Sequence, residues 1–412
     1  MRPGHTAWLT LTMLLGATGV ATPQEGPLDY PQWRGAHRDG AAAAFIEPAA
    51  WPTRLTRQWQ VETGLGYATP ILVGDRVYAF GRQDTDEVLM ALDAASGEVV
   101  WRTPYTAPYT NNPGTGRHGP GPKSTPLFYD GKLFTLGISG VVSAFDAADG
   151  ALIWQKPASS VEPLYGTALS PVADNGHVIF HVGGHNDGAL TAFDADSGDV
   201  VWRWDGDGPA YASPMVAELD GVRQIVTVTQ AHIVGVAADS GELLWERAFV
   251  SRSTNNAITP ILDGDAVIVT GHNLGVTKFR PRRQNGQWTT ETIWTTDEVS
   301  MFMSNPVLAG DTVFGLSHLN SGQFFALDAG SGATLWRTEG REATNSAVIM
   351  AGDLLFMLNN DGDLIVARTN RTGFTQVTRY EVSDSATWAQ PTISGNRLFI
   401  KDESTVTLWT VE

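Results

Sequence analysis

Apolar and polar residues alternate in short runs along most of the chain, and the runs end at glycine-bearing turns. TPILVGDRVYAF (69–80) is representative, with two apolar runs flanking a Gly-Asp pair, and TPILDGDAVIVT (259–270) repeats it closely. Period-two alternation predicts strands, and the Gly-Asp pair between them predicts a tight hairpin. A second pattern follows each such hairpin: LDAASGEVVW (92–101), FDAADGALIW (145–154), FDADSGDVVW (193–202), VAADSGELLW (236–245) and LDAGSGATLW (327–336). Glycine stands four residues before tryptophan in every one: Gly97/Trp101, Gly150/Trp154, Gly198/Trp202, Gly241/Trp245 and Gly332/Trp336. An aspartate stands eight before it at Asp93, Asp146, Asp194 and Asp328, with Ala237 in that place in the fourth segment. Glycine takes positive φ without a Cβ clash, and the aspartate can accept backbone amides of the turn. The tryptophan then falls on the following strand, where it can cover a neighbouring sheet.

The two patterns alternate over a long period. Pro70, Pro126, Pro171, Pro214, Pro260, Pro306, Ala347 and Pro391 each begin an apolar strand, at intervals of 56, 45, 43, 46, 46, 41 and 44 residues. That is the spacing of four-stranded propeller blades, so the chain is predicted to be an all-β, eight-bladed propeller of antiparallel blades. Each blade runs strand a, Gly-Asp turn, strand b, loop, strand c, Ser-Gly turn, strand d. The eighth unit (391–412) stops after strand c, and RQWQVE (57–62) is predicted to supply its strand d, with Trp59 in place of the repeat tryptophan. Such closure removes the last free edge. Blades five and seven diverge: Trp294 follows a longer RPRRQNGQW segment, and Tyr380 replaces tryptophan.

The repeated Asp-x-x-Ser-Gly-x-x-x-Trp pattern resembles the tryptophan-docking repeat of the quinoprotein (PQQ-like) eight-bladed propellers, over roughly residues 54–412. That superfamily includes PQQ-dependent alcohol dehydrogenases and non-enzymatic BamB-like outer-membrane assembly proteins. PQWRGAHRDG (31–40) and GPGPKSTP (119–126) resemble signatures of secreted PQQ-like repeat proteins. The dehydrogenase branch implies a calcium-held quinone in the funnel, an aspartate base and, for alcohol oxidation, a vicinal cysteine pair. No cysteine occurs in this chain, and the other features find no residue-by-residue match. Shared fold leaves function open.

Composition narrows the partners. Twenty-seven Lys+Arg against 44 Asp+Glu gives a net charge of −17, which repels phosphate backbones and argues against nucleic acid. The missing cysteines also exclude disulfides, thiolate zinc sites and a lipobox. Residues 1–21 carry Arg2, an apolar run from Ala7 to Val20 and a small-x-small site at Gly19-Val20-Ala21. They read as a cleaved secretory signal, so the chain is expected in the periplasm or secreted, without a transmembrane span and as a monomer. Residues 22–53 read as an extended arm strapped along the propeller by Trp33 and Trp51, and residues 54–412 as the propeller domain.

In a propeller the a–b and c–d turns share one face, and the b–c loops and blade-to-blade connectors share the other. The longer, irregular segments here fall on the second face, the functional candidate. One residue before each strand marker stand Thr69, Thr125, Ser170, Ser213, Thr259, Asn305, Ser346 and Gln390, expected to satisfy backbone groups at strand starts. Three residues before stand Tyr67, Lys123, Ala168, Tyr211, Ala257, Met303, Thr344 and Trp388, a mixed ring at the channel mouth with Arg252, Asn255, Asn256 and His118 close by. From these, Tyr67, Lys123, Tyr211, Arg252, Asn255, Asn256, Met303 and Trp388 are the candidate ligand-binding set, suited to an anionic or carbohydrate-like group or an acidic peptide loop. His272 and His318 come from adjacent blades, with His181 and His185 near the same ring of strand ends. They are expected to be solvated loop histidines rather than metal ligands. NNDGD (359–363) reads as a hairpin turn rather than a calcium loop.

The expected function is an extracytoplasmic scaffold or binding propeller that presents its loop face to a protein, peptide or glycan of the cell envelope, with no catalytic residue, metal or cofactor assigned. The alternative, implied by the resemblance, is a quinone-dependent oxidoreductase using PQQ and calcium on an alcohol or sugar.

Overall fold

The computed structural model describes Met1 and residues 28–42, 44–161 and 163–412; the signal segment therefore lies almost wholly outside the described residues. Eight four-stranded antiparallel sheets form among the described residues. In blade one these are Ile71–Val73, Arg76–Gln83, Asp86–Asp93 and Val99–Thr106, in the order a-b-c-d. Strand a starts directly after the marker proline in seven blades, and in blade seven Ser346–Ala351 contains Ala347. Proline at that point lacks only an amide that no ladder needs. Each sheet buries both faces against its neighbours, so the inner strands read almost continuously apolar, as in Val88 to Leu92, all 3% exposed or less.

Strand d of blade eight is Thr56–Glu62, which pairs antiparallel with Thr405–Thr410. The N-terminal strand closes the ring, and the last residues supply strand c. No helix among the described residues is long and apolar enough to cross a membrane.

The Gly-to-Trp spacing acquires a second meaning between blades. Trp59, Trp101, Trp154, Trp202 and Trp294 donate their indole N–H to the carbonyls of Ala94, Ala147, Ala195, Ala238 and Ala329, each in the next blade, at 2.9–3.2 Å. Each ring lies on the turn glycine of that blade: a Cβ on Gly97 would stand 2.8 Å from Trp59, and one on Gly198 2.6 Å from Trp154. With φ of 76° and 70°, these glycines are needed both for the turn and for the indole above it. The repeat aspartates cap the same turns; Asp93 Oδ1 accepts from Ala95 N and from Ser96 N and Oγ.

Three junctions depart from the pattern for visible reasons. The c and d strands of blade five, Val276–Gln284 and Gln287–Thr296, form a long hairpin turned at Asn285-Gly286. Trp245 of blade four instead donates to Gln224 Oε1 of its own blade at 2.5 Å and meets Phe279 edge-on. Trp336 of blade six does not dock as its place in the repeat predicts. It faces blade seven, whose c–d connection Thr369-Asn370-Arg371-Thr372-Gly373 lacks the Asp-x-x-Ser-Gly turn. Its N–H therefore goes to Asn370 O at 2.6 Å, and its half-buried ring packs on Phe374 and Phe314 rather than on a turn glycine. A Cβ on Gly373 would meet nothing within 4 Å. In blade eight strands c and d come from opposite ends of the chain and share no turn. Tyr380 of blade seven donates its hydroxyl to Pro52 of the arm at 2.9 Å instead.

The arm is more than a strap. Tyr30 exchanges backbone bonds with Leu72 of blade one, and Phe128 N of blade two donates to Pro31 O. Arg38 donates to Ser170 and Pro171 carbonyls of blade three, and Arg34 to Pro306 O of blade six. Gly40 and Ala42 then exchange bonds with Met350 of blade seven. A segment that touches the innermost strands on opposite sides of the ring must cross the central channel, so residues 30–42 plug it. Trp51 does fasten the arm to the propeller, packed with Phe45 against buried Phe356, but Trp33 lies inside the channel, not along the propeller as the sequence suggested. Burial holds the Arg34 and Arg38 guanidinium groups down to about 10 and about 9, so both stay charged at neutral pH.

Candidate functional site

Two rings of side chains surround the channel at the starts of the a strands, and they have different fates. The ring one residue before the markers is a belt of bonds between blades. Thr69 N donates to Thr125 Oγ1, Thr125 N to Ser170 Oγ, Ser170 N to Ser213 Oγ, Ser213 N to Thr259 Oγ1 and Thr259 N to Asn305 Oδ1. Gln390 N of blade eight donates to Thr69 Oγ1 of blade one at 3.1 Å. Between blades six and seven the link runs in the other direction, from Ser346 N to Ser304 Oγ at 3.0 Å. These side chains satisfy buried backbone amides, but those of the preceding blade rather than their own, except for Ser304, which takes the amide of the following blade.

The ring two residues further out opens on a cavity of about 490 Å³, within the ~300–1,000 Å³ of small-molecule sites. Tyr67, Lys123, Ala168, Tyr211, Ala257, Met303 and Trp388 line it, with Trp33 of the plug also in the wall. Because the arm fills the channel between blades, the cavity is blind at that end and opens on the loop face. Of the sequence-assigned set, the structure brings together Tyr67, Lys123, Tyr211, Asn255, Met303 and Trp388. Asn256 lies elsewhere: it is 1% exposed, and its amide donates to the carbonyls of Thr229, Gln230 and Phe249. Arg252 is exposed on the short 3-10 turn Arg252–Thr254 and does not line the cavity. Thr344 is exposed too and bonds Asn360.

Sequence reasoning missed Tyr165 and Phe302 as lining groups, as well as Asn345. They sit on connectors without periodicity, where a fixed offset from the strand marker gives no warning.

The connectors are held by backbone traffic. Arg82, at the end of strand b in blade one, donates to the carbonyls of Ala107 and Pro120 at 2.6 and 2.9 Å, and Pro122 O accepts from Tyr67 N and Ala68 N. These bonds fix the segment that carries Lys123, whose Nζ reaches Tyr165 O at 3.4 Å. Burial pulls the Lys123 ammonium down to about 8. His118 meets Trp388 edge-on at 4.4 Å, and burial, then Lys123 and Arg117, lower its pKa. Tyr67 is pushed up to about 12, chiefly by burial. Tyr165 and Tyr211 pack 5.9 Å apart.

Although acidic residues outnumber basic ones in the chain, no aspartate or glutamate among the described residues lines this cavity. Calcium is held by hard oxygen ligands that include carboxylates, so the lining does not fit a calcium-held quinone. No group of three His, Asp or Glu among the described residues converges as metal ligands. His272 and His318 do lie together, 4.7 Å apart, but beside Phe302 rather than a carboxylate. His181 is not the solvated loop residue expected: it is 1% exposed within blade three, bonded to Asp207 O, and burial lowers it to about 4. NNDGD (359–363) is a turn in which Asn360 Oδ1 accepts from Thr344 and Asn345, and Asp363 pairs with Arg379.

Residues 85–338 match the family described as outer membrane protein assembly factor BamB. The chain belongs to that family. Within the BamB family, the assembly factor BamB of Shewanella oneidensis is 24% identical over 358 residues, covering 84% of this chain and 86% of the relative. The crystal structure of BamB from Moraxella catarrhalis superposes with a TM-score of 0.62 at 17% identity, covering 86% of this chain and 99% of that one. A quinohemoprotein alcohol dehydrogenase from Pseudomonas putida HK5 superposes with a TM-score of 0.68 at 15% identity, covering 93% and 80%. At these identities the two structures establish the shared propeller fold.

Proposed function

We propose that this chain is an extracytoplasmic, non-catalytic binding propeller that presents its loop face, with the blind funnel at its centre, to a partner in the cell envelope. One observation carries the reading: the channel is sealed by the chain's own residues 30–42, leaving a cavity walled by aromatic and amide side chains that opens only on the irregular face. The BamB relatives are named as outer-membrane assembly factors, which agrees with a scaffold that works by docking. The quinoprotein alternative finds no carboxylate among the described residues of the funnel to hold calcium.

A photo-reactive residue at Arg252, exposed on the loop face, is expected to give discrete adducts with envelope components. The same residue at Asp149, exposed in a c–d turn, is expected to give none. Equal labelling from both positions, or labelling from Asp149 alone, sinks the loop-face reading. Addition of PQQ and calcium to the purified chain gives a separate check: a saturable quinone absorbance change with dye reduction overturns the non-catalytic assignment.

A further inference from the structure

The funnel's lining restricts what it can hold, and this inference rests on the funnel being the binding site. Its walls carry six aromatic side chains, Trp33, Tyr67, Tyr165, Tyr211, Phe302 and Trp388. Flat aromatic faces of that kind favour a compact, ring-shaped ligand with apolar faces. Between them stand the side-chain amides of Asn255, Asn305, Asn345 and Gln390 and the hydroxyls of Thr69, Thr115 and Ser213. Thr69 Oγ1, Ser213 Oγ, Asn305 Oδ1 and Asn345 Oδ1 already accept bonds from within the protein, and Thr115 Oγ1 is bonded to its own turn. The side-chain amide donors and the Gln390 amide are the groups that suit a ligand rich in hydroxyl groups. Gln390 is 6% exposed and its Oε1 has no partner; rotation about the soft terminal torsion of an amide would present it to a hydroxyl donor.

The charge pattern adds a second restriction. Among the described residues Lys123 is the one lysine or arginine in the lining, and no carboxylate of the lining opposes it. Below it, Arg34 and Arg38 lie 5.5 and 5.9 Å from the Trp33 ring and spend their bonds on backbone carbonyls and Gln32, not on carboxylates. A molecule with a net charge of −17 repels a distant anion, yet at short range the funnel floor attracts one. A purely anionic ligand would leave the Gln390 Oε1 acceptor without a donor, and a neutral one would leave Lys123 without a counter-ion.

We propose that the funnel binds one acidic sugar residue of the hexuronic acid class, with the ring stacked on the aromatic wall and the carboxylate at Lys123. A blind cavity of about 490 Å³ admits the end of a glycan or a free monosaccharide, whereas an extended peptide needs a groove with somewhere for the chain to go.

Calorimetry on the full-length chain with glucuronate, galacturonate, glucose and a short glutamate-rich peptide tests this. A hexuronate is expected to bind saturably and at least tenfold tighter than glucose. Lys123→Met is expected to erase that preference while leaving weak sugar binding, and Trp388→Ala to weaken both sugars about thirtyfold. Glucose binding as tightly as the acids overturns the proposal, as does peptide binding without sugar binding, or no binding by any probe. The photo-adducts at Arg252 are read independently. If they form while no sugar binds, the ligand class is wrong and the loop-face reading stands; if they fail while a hexuronate binds, the reverse holds.

Discussion

The belt and the funnel ring lie two residues apart on the same connectors: the belt ties neighbouring blades together, with Thr69, Ser213, Asn305 and Gln390 also bordering the cavity, whereas the bulky side chains of the funnel ring form the cavity wall. At the belt, hydroxyls of blades one to five reach the backbone amide of the blade before them, as from Thr125 to Thr69 or Ser170 to Thr125. At the funnel ring, Tyr211 and Trp388 turn toward the cavity. Side chains two positions apart on an extended strand share a face, so orientation alone does not separate the two roles. Position along the connector does: the belt stands next to the first residue of each a strand, where short side chains reach the neighbouring blade. Size then follows role, with Thr and Ser predominating in the belt and Tyr, Trp, Met and Lys among those in the funnel ring.

The largest test removes the condition on which both rings depend. Deleting residues 54–64 takes away strand d of blade eight and Trp59, which is 8% exposed and bonded to Ala94 O. Burying an indole contributes roughly 2–3 kcal/mol, and the exposed edge of Thr405–Thr410 invites association. The deletion is expected to aggregate and to lose its cooperative melt. A deletion that stays monomeric on size exclusion and melts at the wild-type temperature refutes closure as the organising contact. Next come the funnel variants. Trp388→Ala and Tyr211→Ala each remove a half-buried face from the cavity wall. Each is expected to cost about 2 kcal/mol in hexuronate affinity while the melting temperature barely moves. If both variants unfold, these aromatics are plugs and the two rings share one role.

The belt variant inverts that outcome. Thr125→Val keeps the shape of a side chain that is 1% exposed but strands the Thr69 amide. The expected loss is about 1–3 kcal/mol of stability, read by denaturant unfolding, with ligand affinity unchanged. A fall in affinity without a fall in stability would exchange the roles of the rings.

Repetition made the ring legible and its exceptions obscure. Gly97 and Trp101 recur at fixed spacing, so blade number, strand order and the closing strand at Trp59 could all be read from the chain. The partner of each glycine could not, because the indole over Gly97 belongs to Trp59 of the preceding blade, and spacing within a repeat carries no information about contacts between repeats. Trp336 shows the cost of that limit: its own repeat is regular, but the turn it should dock on belongs to blade seven, and there Asn370 O takes its N–H. The belt's donors were hidden for the same reason. Trp33 was missed as a lining group because the arm occurs once, and Tyr165 and Phe302 because they stand outside the one- and three-residue offsets from the strand markers. Asn256 was misassigned because a polar residue on a connector reads alike whether it faces a ligand or three carbonyls. His181 shows the converse error, a polar residue near a strand end that proves to be buried.

The smallest expected effect is a pH dependence that separates the rings most cleanly. Lys123 faces Tyr165, with His118 and Arg117 on its own connector, Tyr67 and Tyr211 across the cavity, and Arg34 and Arg38 beneath Trp33. Its ammonium is held down to about 8 by burial, against about 10.4 for a free lysine. Between those values the unfolded chain binds a proton that the folded chain has lost, so stability rises with pH through this window and the cost of burying the charge is complete below it. Lys401, buried beside Gly64 O and also held down to about 8, contributes with the same sign. Binding of a hexuronate must run the other way, because above about 8 the cavity loses its cation. Affinity is therefore expected to fall between about pH 8 and 10 while unfolding free energy rises. Lys123→Met should flatten the first step of the binding curve and leave the Lys401 part of the stability curve in place. If affinity and stability fall together as pH rises, Lys123 is a structural group of the connector and the funnel has no anion to hold.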